Sequence, residues 1–234
     1  MSIRHSLTWA GLGGNATPLE GARVVVVSPH LDDAVLSLGA ALSRAARHGA
    51  HVTVLTVLAG DPASTVPAGE WDAQGGFRTE GAAATARRQE DARACSILGV
   101  APRWLAFGDE QYGPAPEEEV VAAVRTELQG FDLILLPGFP LAHRDHELLN
   151  RLVLEQVRPE TRLLLYAEQP YYLRTGGGPP AGWQLAAAGL WDRIKKVRAS
   201  RAYSSQLVLL GDRRLARRLA RFEAARGGEL IRSS

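Results

Sequence analysis

The chain has 234 residues, of which 46% are hydrophobic and 22% are charged, as in an ordinary globular protein. A chain of this length can bury enough surface to fold without disulfides, and its single cysteine, Cys95, excludes an intrachain disulfide and cysteine-rich metal sites. The formal net charge of +2 argues against capture of nucleic acid by bulk charge, so no nucleic-acid partner is expected.

The start of the chain, Met1 to Pro18, lacks the apolar segment behind a basic end that marks a signal peptide. No run reaches the roughly 18 apolar residues that span a bilayer. Together with the single cysteine, these features predict a cytoplasmic protein without a membrane span. The sequence leaves the oligomeric state open, and a homo-oligomer is compatible with it.

Short apolar runs alternate with helical patterns along most of the chain. Strands are predicted at residues 23–27, 51–58, 103–107, 131–136 and 162–167. Helices are predicted at residues 34–47, 80–98, 116–128, 144–157, 189–203 and 212–226. Two loops rich in glycine and proline, 59–79 and 170–180, interrupt the pattern; a loop as long as the first is usually functional or mobile.

Strands that alternate with helices favour right-handed crossovers and a parallel sheet. The predicted fold is therefore α/β, a Rossmann-like three-layer αβα sandwich with a mostly parallel sheet. We expect residues 1–234 to form a single domain.

Titratable side chains crowd the turn after the first predicted strand, where His30, Asp32 and Asp33 fall within four residues. Sites in open α/β sheets form at the carboxyl ends of strands. His30 and Asp33 are three residues apart, so a turn can direct both at one point, and imidazole and carboxylate are common zinc ligands. Asp32 is then free to act as a base toward a water that the metal activates. The alternative is that Asp32 or Asp33 only caps the next helix and that His30 is a loop histidine.

A second cluster, His143, Asp145 and His146, follows the fourth predicted strand. One of its histidines would join His30 and Asp33 as a third ligand and leave a position open for water. Asp145 could orient a histidine through its other ring nitrogen, and the spare histidine could polarise a carbonyl or protonate a leaving amine. A solvated polar loop is the alternative, but two such clusters on one sheet favour a metal site.

Both clusters resemble motifs of the LmbE-like (PIG-L) zinc deacetylases. The segments that carry the resemblance follow the order of the family: His30-Leu31-Asp32-Asp33, the helix from Arg87 to Gly99, Phe107-Gly108-Asp109, His143 to His146, and Lys196 to Gln206. The resemblance covers about residues 23–206. Each segment is weak alone, but five in the correct order are specific.

The resemblance implies that His30, Asp33 and His146 bind the metal. It also implies that Asp32 is the general base for the attacking water, and that His143 stabilises the oxyanion and helps the leaving amine. The implied activity is zinc-dependent N-deacetylation, the cleavage of an amide C–N bond in an N-acetylated, GlcNAc-like sugar or glycoconjugate. Fe²⁺ or another divalent metal could replace Zn²⁺.

By the same resemblance, Asp145 supports the ligands, and Arg87 and Asp109 hold the sugar-like substrate, with Arg88 as an open alternative. The chain departs from the family pattern at Leu31 and Ala34 in the first motif and at Arg144 in the second. Two other functions stay open: an amidase for larger conjugates at the same site, and a non-catalytic Rossmann-like binding module.

Three further features receive structural interpretations. Cys95, in the middle of a predicted helix, is expected to be a small core residue. The arginines of the last predicted helix are expected to form the solvated face of an amphipathic helix, with an acidic partner as the alternative. Glu168, Tyr171 and Tyr172, after the fifth strand, could rim the pocket, with a packing role as the alternative for the two tyrosines.

Overall fold

A computed structural model of the chain describes residues 21–157, 161–178, 181–186, 188–210 and 214–233. Its strands are β1 Arg23–Ser28, β2 His51–Thr56, β3 Ala101–Trp104, β4 Leu133–Phe139, β5 Arg162–Ala167, β6 Gln184–Ala186 and β7 Glu229–Ser233. Within the described ranges they form one seven-stranded sheet in the order β3-β2-β1-β4-β5-β7-β6. The five strands from β3 to β5 are parallel, whereas β7 runs antiparallel to both β5 and β6.

The helices are α1 Asp33–Arg47, α2 Glu70–Gln74, α3 Glu80–Leu98, α4 Glu117–Glu127, α5 Arg144–Leu154, α6 Tyr171–Thr175, α7 Leu190–Ser200, α8 Ser204–Leu209 and α9 Leu215–Arg226. Alternate residues of the central strands serve opposite faces of the sheet. Val24 and Val26 pack in the core that contains α1, α3 and α7, whereas Val25 and Val27 pack in the core that contains α4 and α5. The predicted three-layer αβα sandwich is therefore confirmed.

β1 lies in the interior of the sheet and is buried on both faces, so its residues Val24 to Val27 can all be apolar, without alternating polar positions. Helix α3 begins and ends where predicted. The Thr79 hydroxyl caps its first turn by accepting a hydrogen bond from the Ala82 amide at 3.2 Å, and Gly99 ends it in the left-handed region at φ +81°.

Several elements differ from the sequence prediction. β3 occupies 101–104 instead of 103–107, because it pairs with the second half of β2. The two glycine- and proline-rich loops contain the short helices α2 and α6, and the tail contributes α8, β6 and β7, none of which was predicted. The predicted start of the last helix at 212 lies outside the described residues, and so do residues 1–18, where no signal peptide is expected.

Two structural interpretations are confirmed. Cys95 is fully buried in the core. In α9, Leu215 and Leu219 are buried while Arg217 and Arg221 are exposed, as expected of an amphipathic helix. Across the ranges that the structure describes, no helix combines the length and apolarity that a membrane crossing requires.

The topology of the sheet creates a crevice between β1 and β4. β1 is followed by α1 on one face of the sheet, and β4 is followed by α5 on the other. The carboxyl ends of these two strands therefore meet at a topological switch point, where open α/β sheets bind their ligands.

Candidate active site

A cavity of about 350 Å³ opens at the carboxyl ends of β1 and β4. Its lining includes His30, Asp32 and Asp33 from the turn after β1, and His143 and Asp145 from the start of α5. The two clusters, more than a hundred residues apart in sequence, therefore meet in one place. His146 lies behind this lining with no exposed surface.

Three candidate ligand atoms form a nearly equilateral triangle. His30 Nδ1 lies 3.3 Å from Asp33 Oδ2, His146 Nε2 lies 3.2 Å from Asp33 Oδ2, and the two ring nitrogens are 3.2 Å apart. Atoms that surround one tetrahedral zinc ion at roughly 2.0–2.1 Å lie about 3.3–3.4 Å from one another. The spacing of these three atoms therefore fits three ligands of a single small divalent ion.

Each of the two histidines contacts a carboxylate through the ring nitrogen that faces away from the triangle. His30 Nε2 lies 2.9 Å from Asp145 Oδ2, and His146 Nδ1 contacts Glu168 Oε1. If these nitrogens donate their protons to the carboxylates, the other nitrogen of each ring keeps its lone pair for a metal. Both rings are thus held in the orientation that metal binding requires.

Glu168 is the residue of this arrangement that sequence reasoning missed, since it was considered only for the rim of the pocket. It is completely buried and also accepts a hydrogen bond from the Leu141 amide at 2.9 Å. Its position directly after β5, the neighbour of β4, was the available signal.

The ionisable groups shift one another's pKa values. Burial alone would raise the pKa of Asp33, but His146 and His30 hold it well below its usual range. Burial would lower the pKa of His146, but Asp33 and Glu168 raise it to about 9. Burial and the adjacent charge of Asp33 raise the pKa of Asp32 well above its usual value. Asp32 is therefore a stronger proton acceptor than an exposed carboxylate.

The backbone at Asp32 is strained. This residue precedes α1 with φ at 145°, a region that costs a non-glycine residue on the order of 1–3 kcal/mol. Its side chain makes no capping hydrogen bond; instead, Ser28 Oγ accepts one from the Ala34 amide at 3.0 Å. The helix-capping alternative therefore does not hold for Asp32, whose carboxyl group lines the cavity.

His143 also lies beside the triangle, with a ring nitrogen within 4.8 Å of those of His30 and His146. Its Nδ1 accepts a hydrogen bond from the Asp145 amide at 3.2 Å and so caps α5, which leaves the proton of the neutral ring on Nε2. Burial, followed by the charges of His30 and His146, lowers its pKa. A neutral ring with a fixed Nε2–H is suited to donate a hydrogen bond to a substrate oxygen.

Arg87 and Asp109 both line the cavity. Arg87 forms an ion pair with Asp72 of α2. The Asp109 carboxylate accepts hydrogen bonds from the Gln111 amide at 3.3 Å and from its side chain at 2.9 Å. Arg88, the open alternative, is turned away: it donates to backbone carbonyls, including that of Leu105 at 3.0 Å.

The three departures from the family pattern leave the triangle intact. Leu31 lines the cavity, Ala34 is buried in the core beside β1, and Arg144 is exposed at the first position of α5. None of these side chains replaces a group that the two clusters contribute.

The fold and the site define a Rossmann-like α/β protein that gathers two histidines and an aspartate at the switch point of its sheet. The family profile described as PIG-L, GlcNAc-PI de-N-acetylase, matches residues 25–157, more than half of the chain. The chain belongs to this family, and the resemblance seen in its motifs is confirmed.

Relatives of known structure or activity extend this match. The chain is 33% identical over 175 residues to 2'-N-acetylparomamine deacetylase of Streptomyces fradiae; the alignment covers 65% of this chain and 59% of that protein, less than two thirds of its length. A triple mutant of a deacetylase from the teicoplanin biosynthetic pathway is 33% identical with a TM-score of 0.75, covering 91% of this chain and 97% of its own. The zinc-inhibited form of teicoplanin deacetylase is 28% identical with a TM-score of 0.76, covering 91% and 99%.

Proposed function

We propose that this protein is a divalent-metal-dependent N-deacetylase that hydrolyses the N-acetyl group of a GlcNAc-like sugar or glycoconjugate. The observation that carries the proposal is the triangle of His30 Nδ1, Asp33 Oδ2 and His146 Nε2 at the cavity, with sides of 3.2–3.3 Å. Relatives named as deacetylases of 2'-N-acetylparomamine and teicoplanin support an N-acylated sugar conjugate as the substrate.

Zn²⁺ is the metal that we propose, because two imidazoles and one carboxylate are a common ligand set for it; Fe²⁺ is the alternative. His30, Asp33 and His146 would hold the ion. When bound, it would polarise the acyl oxygen and lower the pKa of a water in the open position.

The side chains of this protein would move the protons. Asp32 would take a proton from the attacking water as the water oxygen bonds to the acyl carbon. His143 Nε2–H would donate a hydrogen bond to the acyl oxygen as negative charge develops there, a contribution typically worth about 10²–10³ in rate. Asp32 would then return the proton to the nitrogen as the C–N bond breaks, so that the products are a free amine and acetic acid, which releases its proton to water and leaves as acetate.

The remaining groups would hold the metal ligands and the substrate in place for these steps. Asp145 and Glu168 would keep the rings of His30 and His146 in place, and Arg87 and Asp109 would bind hydroxyl groups of the sugar. The groups that bind the sugar lie on α3 and on the turn before α4, apart from the two motifs that carry the chemistry.

The test measures the release of acetate by the purified protein. A chelator first removes any bound metal, and the protein is then reloaded with Zn²⁺, or with Fe²⁺ under anaerobic conditions. We expect N-acetylglucosamine glycosides to be hydrolysed only by the loaded protein, and His146→Ala to lose both metal and activity. A clean preparation that binds no divalent metal would refute the proposal.

An amidase for larger conjugates is the second candidate, and the extent of the cavity lining is the observation that supports it. Beyond the triangle, the lining continues to Trp71 of α2, Tyr171 of α6 and Leu210 after α8, which offer more apolar surface than an acetyl group needs. A panel of glycosides with acetyl and bulkier acyl groups separates the two, since this candidate requires faster hydrolysis of the bulkier amides. A non-catalytic module is not favoured, because the relatives described above are deacetylases.

A further inference from the structure

A buried carboxylate of the long loop, Asp72, joins three walls of the cavity. It lies on α2 and is 2% exposed. Its Oδ1 pairs with the Arg87 guanidinium of α3, and its Oδ2 accepts a hydrogen bond from the Tyr112 hydroxyl. Its amide donates to Gln111 Oε1 at 3.1 Å. One residue thus connects α2, α3 and the turn at 110–112.

Arg87 depends on Asp72 for its orientation. Arg87 is 8% exposed, and its Nε and Nη2 have no hydrogen-bond partner of good geometry among the described residues. The described ion pair of Arg87 is the one with Asp72, and the Phe77 ring, 5.6 Å from the guanidinium carbon, is its aromatic neighbour. A buried guanidinium with so few fixed contacts keeps its place because of the paired charge.

The turn that carries Asp109 is tied to the same carboxylate. Tyr112 donates its hydroxyl proton to Asp72, and its oxygen accepts a hydrogen bond from the Gly69 amide at 3.2 Å. A Cβ atom at Gly69 would lie 2.4 Å from Gln111 Oε1. A larger residue there would therefore displace the Gln111 side chain, which accepts the hydrogen bond from the Asp72 backbone amide. The start of α2 and the turn at 110–112 therefore pack closely against each other.

We infer that Asp72 is a positioning residue for sugar recognition: it fixes the guanidinium of Arg87 and the turn of Asp109 toward the bound ring. This inference rests on the proposed function, because it assigns Asp72 a role toward the substrate of that site. Asp72 acts through other residues and takes no part in the transfer of protons, so it governs substrate binding more than the chemical step.

The test compares two amides with wild-type protein and variants loaded with metal: methyl N-acetyl-glucosaminide, which has the sugar ring, and N-methylacetamide, which has none. For Asp72→Asn we expect KM for the glycoside to rise about 10–100-fold, because Arg87 loses the charged partner that holds it in place, with kcat nearly unchanged. Activity toward the minimal amide should not change. Glu70→Gln, an exposed charge removal on the same helix, is the matched control and should behave as wild type.

A double-mutant cycle separates positioning from general damage to the fold. If Asp72 acts through Arg87, the losses in Asp72→Asn and Arg87→Gln will not add in the double variant. Additive losses, or equal losses on the glycoside and the minimal amide, would overturn the inference. Tyr112→Phe removes the hydrogen bond to Asp72 but keeps the ion pair with Arg87, so it should raise KM for the glycoside less than Asp72→Asn does. This variant provides the test if Asp72→Asn does not fold.

Equilibrium binding of the same glycoside, measured by calorimetry, keeps this test independent of the proposed function. If wild type binds the glycoside but releases no acetate with any metal, the deacetylase proposal fails while the role of Asp72 can still be measured. Binding that is equally tight in wild type and Asp72→Asn would overturn the inference alone.

Discussion

The rings of His30 and His146 are each held between a carboxylate on one nitrogen and the triangle on the other. Asp145 is an anticipated partner in this arrangement, whereas Glu168 reaches His146 from its position directly after β5. Carboxylates in this position fix the tautomer and raise the basicity of a metal-binding imidazole. The affinity for metal should therefore depend on residues that never touch the ion.

Glu168→Gln tests this dependence. The amide keeps the shape of the side chain but removes the charge that supports His146, so we expect metal affinity to fall about 10–100-fold. Competition with a chelator measures the affinity, and the exposed Glu155→Gln is the matched control. Unchanged affinity in Glu168→Gln would contradict this account of the site.

Asp32 has a proposed role different from that of its neighbour Asp33: it would act as a base and would not bind the metal. We expect Asp32→Asn to keep its metal and to lose turnover by about 10²–10⁴-fold, the usual contribution of a general base. Asp33→Asn should lose metal as well as activity. Metal analysis beside the acetate assay distinguishes the two, and loss of metal from Asp32→Asn would mean that the roles are assigned wrongly.

At the scale of elements, the segment 59–79 forms a wall of the cavity and is fastened to its neighbours. Trp71 Nε1 donates to Gln206 Oε1 of α8 at 3.3 Å, and the base of the segment lies against the first turn of α3. The absence of a side chain at Gly81 permits this approach, since a Cβ atom there would lie 2.4 Å from the Ser64 carbonyl oxygen.

Gly81→Ala should therefore displace the segment 59–79 while leaving the triangle in place. We expect faster proteolytic cleavage within it and a higher KM for glycosides, with metal content unchanged. Ala82→Ser adds one atom at an exposed neighbouring position and serves as the control. A variant that resists protease as well as wild type would show that this close contact is unimportant.

The sequence predicted elements well where local pattern decides them. The valine run of β1 and the capped, glycine-terminated α3 are examples, and the spacing of His30 and Asp33 predicted that these two side chains meet after β1. Asp72 was not predicted, because its partners Arg87 and Tyr112 lie 15 and 40 residues away and no local spacing marks them.

The strands β6 and β7 escaped prediction for a related reason. They are short, and each takes its place through pairing with distant chain: Leu165 of β5 lies beside Arg232 of β7. Glu168 likewise belongs to no motif, because a single carboxylate after a strand has no partner within its own loop. Such contacts are decided by tertiary packing, which one sequence without its fold does not display.

At the scale of the whole molecule, a buried ionic network joins α7, α9 and β7 to α1. Lys196 Nζ on α7 contacts Glu223 Oε1 of α9 at 2.6 Å and Glu229 Oε1 of β7 at 2.7 Å. Glu229 also accepts hydrogen bonds from the α1 amides of Ala40 at 2.9 Å and Ala41 at 2.7 Å. These ties lead us to propose that the chain unfolds as one domain.

Lys196→Met should destabilise the protein by about 3–5 kcal/mol, because it keeps the length of the side chain but leaves two buried carboxylates without their cation. Lys195→Met, at a partly exposed neighbouring position, is the control and should cost little. Chemical denaturation followed by two probes measures both stability and cooperativity. Separate transitions in wild type would contradict the single-domain proposal.

The central claim is that His30, Asp33 and His146 grip one divalent ion, and anomalous diffraction from crystals grown with Zn²⁺ tests it most directly. The account predicts one strong peak at similar distances from His30 Nδ1, Asp33 Oδ2 and His146 Nε2, each roughly 2.0–2.2 Å. A fully loaded crystal with its peak elsewhere, or with none between these atoms, would contradict it.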